Sequence, residues 1–283
     1  MPKVTVFEAQ KWAFSFIKGH ESLDEEGAKL LLRACLGYNP TQYLLNLRTE
    51  LTDEQWGTFQ ENMAKYVAGY PVQYIIGQAE FFGLNFKVTE ATLIPRVETE
   101  DLVEWILTDQ AATDLKIADI GTGSGAIGLS LKANRPSWQV TLTDLSEATL
   151  AVAKENAANL DLKVQALQGD LLAPLTGKYN LLVSNPPYIA EDEKEVMDQS
   201  VLDHEPHLAL FAKDQGLAIY KRLAQEISAD LLAPNAYLYL EIGYRQGLAV
   251  KEIFEQAFPK AQVTLKQDLA GKDRMIRVAF NNC

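Results

Sequence analysis

The chain has 283 residues, 47% of them apolar and 23% charged, which is ordinary for a globular protein with one large and one small domain. Its formal net charge of -12 sets it against nucleic-acid phosphates, and no run of Lys and Arg makes a compensating basic patch. Two cysteines, Cys35 and Cys283, supply neither a disulfide framework nor a zinc pattern, and residues 1–10 lack the apolar core of a signal peptide. With no run approaching the ~20 apolar residues of a membrane span, a cytoplasmic protein in a reducing compartment is expected.

Residues 1–70 read as a small helical bundle. Val6, Trp12, Phe14, Phe16 and Ile17 begin an apolar stripe that Leu23, Ala28, Leu30, Leu31, Leu32 and Ala34 continue. Gly37, Asn39 and Pro40 interrupt it, and Thr52 is placed to cap a further helix through Trp56, Phe59, Met63 and Val67. No catalytic residue types cluster here, so binding of a macromolecular partner is the expected task. From residue 71 the texture changes. Pro71–Gly77 and Glu80–Val88, with Gly83-Leu84-Asn85 as the turn, predict a β-hairpin linker over 71–92. Arg96, Glu98 and Glu100 then open an amphipathic helix, where the two glutamates complement its dipole.

Beyond residue 93 strand and helix patterns alternate, which predicts a doubly wound α/β sheet. Strands are expected near 116–120, 138–143, 163–167, 180–184, 236–241, 262–266 and 275–280, and helices near 125–134, 146–159, 216–232 and 245–257. A loop through Gly271 joins the last two strands, so they should pair antiparallel.

Gly121, Thr122, Gly123, Ser124 and Gly125 follow the first of these strands, where glycine lets a ligand approach backbone at a helix N-terminus. Gly123 to Gly128 also fits the dinucleotide fingerprint, with Asp144 at a ribose-binding distance downstream. Asp119 separates the two readings: a carboxylate before the glycines opposes a pyrophosphate but suits an ammonium or sulfonium group. S-adenosylmethionine carries both. Asp144, ending the second strand, is then the acceptor for ribose hydroxyls, and Asp170, after the third, the acceptor for an adenine amino group. Each aspartate alone is more often a cap or turn residue; three at successive strand ends make a pattern.

The fourth strand ends in Asn185-Pro186-Pro187-Tyr188. Neither proline can extend a strand, so the chain leaves the sheet stiffly where open α/β folds bind ligands. An amide oxygen and a proline carbonyl can accept the two hydrogens of a planar NH2 group, and a tyrosine ring can cover its face. Asp203, His204 and His207 lie on the acidic loop that follows; without a further ligand they read as solvated, and no metal site is expected.

The glycine loop with Asn185 to Tyr188 resembles the S-adenosylmethionine-dependent amino-methyltransferases. Pro71–Gly77, Phe82-Gly83, Phe86–Val88, Leu93–Glu100, Glu205–Leu210 and Asp268–Arg274 narrow the likeness to the HemK/PrmC family of release factor glutamine N5-methyltransferases. That resemblance implies a helical substrate-recognition domain over 1–70, a hairpin linker, and a seven-stranded Rossmann-like methyltransferase domain over 93–283. It implies cofactor contacts from Gly121 to Gly125 and Asp144, Leu171 beside the adenine where relatives often carry an aromatic, and a substrate glutamine held by Asn185, Pro186, Pro187 and Tyr188. It implies S-adenosylhomocysteine as product, release factors as partners, and a monomer without direct nucleic-acid contact. A ribosomal-protein glutamine would use the same residues. Adenine N6 in nucleic acid is opposed by the charge, a non-catalytic nucleotide-binding module would bind cofactor without transferring methyl, and a dehydrogenase would leave Asn185 to Tyr188 without a task.

Overall fold

The computed structural model describes residues 3–20 and 23–280; Cys283 and the first two residues lie outside them. The chain divides into two compact units. One comprises the residues up to Gln78 together with Asp198–His204; the other comprises Ala79–Met197 and the residues from Glu205 onward.

In the first unit, α1 (Val6–Phe16), α2 (Glu25–Leu36), α3 (Pro40–Leu45), α4 (Asp53–Val67) and α5 (Val72–Ile76) are punctuated by side chains the sequence places at their ends. Thr5, Asp24, Asn39 and Thr52 each accept a backbone N–H of the following first turn, and Gly37 closes α2 in the left-handed conformation. The apolar stripes converge on Val6, Ala9, Leu31, Leu32, Phe59 and Met63, all fully buried. Trp12 and Trp56 meet edge-on against this core with ring centroids 4.9 Å apart, so these aromatics serve packing. A short helix from the later chain, α9 (Gln199–His204), is part of the same unit, and the His204 ring stacks on Tyr70 at 4.0 Å.

The segment Pro71–Gly77 is not the first arm of a hairpin. Pro71 sets the N-cap, Gly77 caps the other end with φ +78°, and the β-branched residues between form α5 with Val72 buried. The hairpin itself is β1 (Gln78–Phe81) and β2 (Leu84–Lys87), and its turn is Phe82-Gly83, both at positive φ, rather than Gly83 to Asn85. Phe81 and Phe86 alternate inward to zero or near-zero exposure in the core of the second unit. The hairpin therefore packs as part of that unit.

Among the described residues the main sheet has seven strands in the order β5-β4-β3-β6-β7-β9-β8, formed by β3 (Lys116–Ile120), β4 (Gln139–Asp144), β5 (Gln165–Gln168), β6 (Tyr179–Ser184), β7 (Leu232–Glu241), β8 (Gln262–Gln267) and β9 (Asp273–Ala279). The first five run parallel, while β9 inserts antiparallel between β7 and β8. Side-chain alternation splits the core in two. Leu181, Val183 and Tyr239 face α6 (Val97–Asp109), α7 (Ala126–Asn134) and α8 (Glu147–Asn159); Leu182, Leu238 and Leu240 face α11 (Ala218–Glu226) and α12 (Gly247–Ala257). Helix α11 is shorter than the 216–232 expected, because Ile227 turns extended and the chain enters β7 early. Strand order reverses at β3, with β4 on one side and β6 on the other, which opens a crevice at their carboxyl ends.

Candidate active site

A cavity of about 630 Å³ occupies that crevice. The loop after β3 forms its floor. Gly121, Gly123 and Gly125 adopt φ of 67°, 59° and 87°, and a Cβ at Gly121 or Gly123 would meet nothing, so backbone conformation is what demands glycine there. Gly121, Thr122, Gly123 and Ser124 line the cavity; Gly125 stands behind them as the N-cap of α7.

The three aspartates have three different settings. Asp144 lines the cavity at the end of β4, where its Oδ2 accepts from the Gly123 N–H at 3.1 Å and its Oδ1 from the Ser146 N–H at 2.9 Å. Burial pushes its carboxyl above the usual range, and the two N–H groups oppose that shift. Asp119 is fully buried and does not line the cavity. Its Oδ2 accepts from the Thr122 hydroxyl at 2.6 Å and the Gly128 N–H at 2.9 Å, bracing the loop from beneath. Its other oxygen, Oδ1, is buried with no hydrogen-bond partner among the described residues. Asp170 lines the cavity mouth, but both its oxygens are already forked by Arg222 at 3.0 and 3.1 Å. A carboxylate has about four lone-pair sites, so two stay available to an amino group. Leu171 beside it also lines the cavity and holds φ +47°, a strained conformation for a branched side chain.

Asn185, Pro186 and Pro187 form the opposite wall. The Asn185 Nδ2 donates to the Thr99 hydroxyl at 3.2 Å, and that hydroxyl donates to Glu241 Oε2 at 2.6 Å. Among the described residues nothing donates to Asn185 Oδ1 or to the Pro186 carbonyl. Tyr188, expected as a ring over the substrate, is not among the residues that line the cavity. It lies behind the wall, packs against the Leu240 side of the core, and donates its hydroxyl to Glu241 Oε1 at 3.3 Å. Its carbonyl accepts from Gln246 Nε2 at 2.9 Å, and a Cβ on Gly216 would run into that carbonyl. The kink is thus pinned from the protein side.

Sequence reasoning missed Thr99, Glu241, Glu205 and Arg222. The available signal for Glu241 was one carboxylate closing the apolar run Tyr237–Leu240 at a strand's carboxyl end. Glu205 is buried and pairs with Arg96 at 2.6 Å while its other oxygen accepts from the Ile94 N–H, which fixes the wall residues Pro206 and Ala209 beside the cavity. Glu100 takes the Phe82 N–H at 2.8 Å, a use beyond dipole complementarity. The histidines part company: His204 lies on Tyr70 in the helical unit and His207 meets Phe211 edge-on at 5.5 Å. Among the described residues no three His, Cys, Asp or Glu side chains are grouped to hold a metal ion.

Burial is also the main reason Glu241 is pushed up to about 7 and Asp119 to about 6. Both acids ionise more easily in the unfolded chain, so the native state binds more protons between their unfolded and folded values, and stability falls as pH rises through that window. Glu241→Gln is expected to remove its share. Between pH 4.5 and 7.5 the wild type should lose more unfolding free energy in urea titrations than the variant, by at most roughly 3 kcal/mol. Parallel losses in both proteins would refute the assignment.

Known proteins match this arrangement. The family described as "Methyltransferase small domain" matches residues 99–209, and the "PrmC N-terminal domain" matches residues 8–77. The release factor glutamine methyltransferase of Streptococcus pneumoniae is 43% identical over 90% of this chain and 91% of its own, and that of Enterococcus faecalis is 43% identical over 95% and 97%. The chain belongs to the release factor glutamine methyltransferase family. Its fold is that of methyltransferases more widely: a methyltransferase from Pyrococcus furiosus superposes with a TM-score of 0.53 at 15% identity, covering 81% of this chain and all of that one. The family's N-terminal match falls within the helical unit, and its methyltransferase match spans the glycine loop, Asp144, Asp170 and Asn185. No described helix is long and apolar enough to cross a membrane.

Proposed function

We propose that this chain methylates the side-chain nitrogen N5 of a glutamine, that of the GGQ motif in class 1 peptide chain release factors, using S-adenosylmethionine. The observation that carries the reading is the wall at Asn185, whose amide donor is spent on Thr99 while its oxygen and the neighbouring Pro186 carbonyl are left without donors. Two acceptors side by side suit an NH2 group with two hydrogens. The cavity's other features fit the cofactor: a carboxylate on Asp144 for a diol, glycine backbone at the start of α7 for a carboxylate, and Leu145, Leu171 and Ile219 as apolar surface for a base.

When bound, S-adenosylmethionine supplies an electrophilic methyl group on a sulfonium and leaves as S-adenosylhomocysteine. A carboxamide nitrogen is a weak nucleophile because its lone pair is delocalised into the carbonyl. Asn185 Oδ1 and the Pro186 carbonyl hold both of its hydrogens, fix the direction of the lone pair, and stabilise positive charge as it grows on nitrogen, and one of the two hydrogens then leaves as a proton to water. Tyr188 keeps the kink rigid from behind. Its phenol is pushed up by burial first and by the Glu241 charge second, so it stays a donor at neutral pH.

We further assign residues up to Gln78 with Asp198–His204 to partner recognition and the sheet unit to catalysis. We take the enzyme to be cytoplasmic, and its net charge of -12 favours a monomer that makes no direct contact with nucleic acid. The test supplies methyl-labelled cofactor with purified release factors, ribosomal proteins and DNA separately and maps the label by mass spectrometry. Label on release factor glutamine N5 is expected; label on a ribosomal protein or on adenine N6 would overturn the substrate.

A further inference from the structure

We infer that Glu241 sets which end of the Asn185 amide faces the substrate, because the two oxygens of this one carboxylate hold both ends of the Asn185–Tyr188 kink, Tyr188 directly and Asn185 through the Thr99 hydroxyl. This rests on the reading of Asn185 as the glutamine receptor. An asparagine amide is nearly symmetric in shape but opposite in hydrogen-bonding sense at its two ends. A receptor for NH2 works only with the oxygen presented. The mirror orientation would offer two N–H groups to a substrate nitrogen that already carries two.

The polarity of the chain decides between them. A threonine hydroxyl has one hydrogen, and Thr99 gives it to Glu241 Oε2 at 2.6 Å. Only its lone pairs remain for Asn185, so the amide must turn Nδ2 toward Thr99, at 3.2 Å, and Oδ1 away. Once ionised, a carboxylate accepts and never donates, so above its raised pKa of about 7 it holds the Thr99 hydroxyl in this sense. Its second oxygen takes the Tyr188 hydroxyl at 3.3 Å, and its own backbone carbonyl takes the Tyr220 hydroxyl at 2.9 Å. Thr99 and Glu241 are 4% and 1% exposed, so water does not compete for these bonds. They stand on different elements, the first turn of α6 and the end of β7, and Thr99 itself lines the cavity. Both act here as positioning residues, through Asn185 and Tyr188.

The test compares Thr99→Val, which keeps the shape and removes the hydroxyl, with Thr99→Ser, which keeps the hydroxyl. Thr99→Val is expected to lower kcat for release factor methylation at least about tenfold, the loss of one oriented bond, with cofactor Kd and Tm nearly unchanged. Thr99→Ser should recover most of that rate. Glu241→Leu, which removes both acceptors of the chain, should lose activity as Thr99→Val does. In an Asn185→Ala background Thr99→Val should cost nothing further, because the amide it orients is gone. Full turnover by Thr99→Val, an equal loss in Thr99→Ser, or an additive loss in the double variant would overturn the inference. A wild type that methylates no glutamine would instead bring down the functional reading beneath it, so the two failures are told apart by the control.

Discussion

Asn185→Ala is expected to slow methyl transfer by about a thousandfold while cofactor affinity changes by no more than a few fold. The substitution leaves one substrate N–H without an acceptor in a largely apolar recess, and it removes one of the two contacts that aim the nitrogen lone pair. It also strips the Thr99 hydroxyl of its donor, but Thr99 keeps its bond to Glu241, so the wall need not collapse. Asn185→Asp should fare no better. An ionised oxygen would then face the lone pairs of a hydroxyl whose only hydrogen is committed to Glu241. Single-turnover rates with saturating cofactor separate these effects from binding, and a calorimetric titration with S-adenosylhomocysteine gives the affinity. Turnover within threefold of wild type would remove Asn185 from the chemistry.

Asp144→Ala should have the opposite profile. Its two oxygens each already accept a backbone N–H, from Gly123 and from Ser146, which orients the remaining lone pairs into the cavity for two adjacent hydroxyls. Losing two bonds to a charged acceptor is expected to weaken cofactor binding roughly a hundredfold or more, with the rate at saturation largely preserved. Asp144→Asn keeps one acceptor and the N–H contacts in part, so an intermediate loss of about tenfold is expected. Equilibrium binding of S-adenosylhomocysteine to the three proteins gives the order directly. An alanine variant that binds as tightly as wild type would move the diol site elsewhere.

The parts of the site that sequence reveals are those written in consecutive residues. Gly121 to Gly125 and Asn185 to Tyr188 announce themselves because backbone geometry forces their composition, and their placement after apolar runs locates them at strand ends. What sits behind them is not legible, since it is assembled across the fold: Thr99 reaches Asn185 over 86 positions and Tyr188 reaches Glu241 over 53. Residue type misleads where one side chain has two uses. Asp119 reads as a ligand for a cation and also braces the loop from below; Tyr188 reads as a stacking platform and also ties the kink to Glu241. Asp170 was visible, but its fork with Arg222 was not, because nothing local pairs the end of β5 with the middle of α11. In Pro71–Gly77 the β-branched content argues for a strand, yet a proline start, a left-handed glycine stop and a buried Val72 give a helical turn.

The excursion of the chain into the helical unit at Asp198 and back at Glu205 has a consequence for dissecting this protein. Shortening it from the amino end would not yield a clean catalytic half. Cutting after Gln78 would orphan Gln199–His204, strip His204 of its Tyr70 partner, and leave a frayed strap running straight into Glu205 and the cavity wall it pins. The helical unit and the sheet unit are joined by covalent connectivity at three points, so neither is a single uninterrupted stretch that can be excised cleanly.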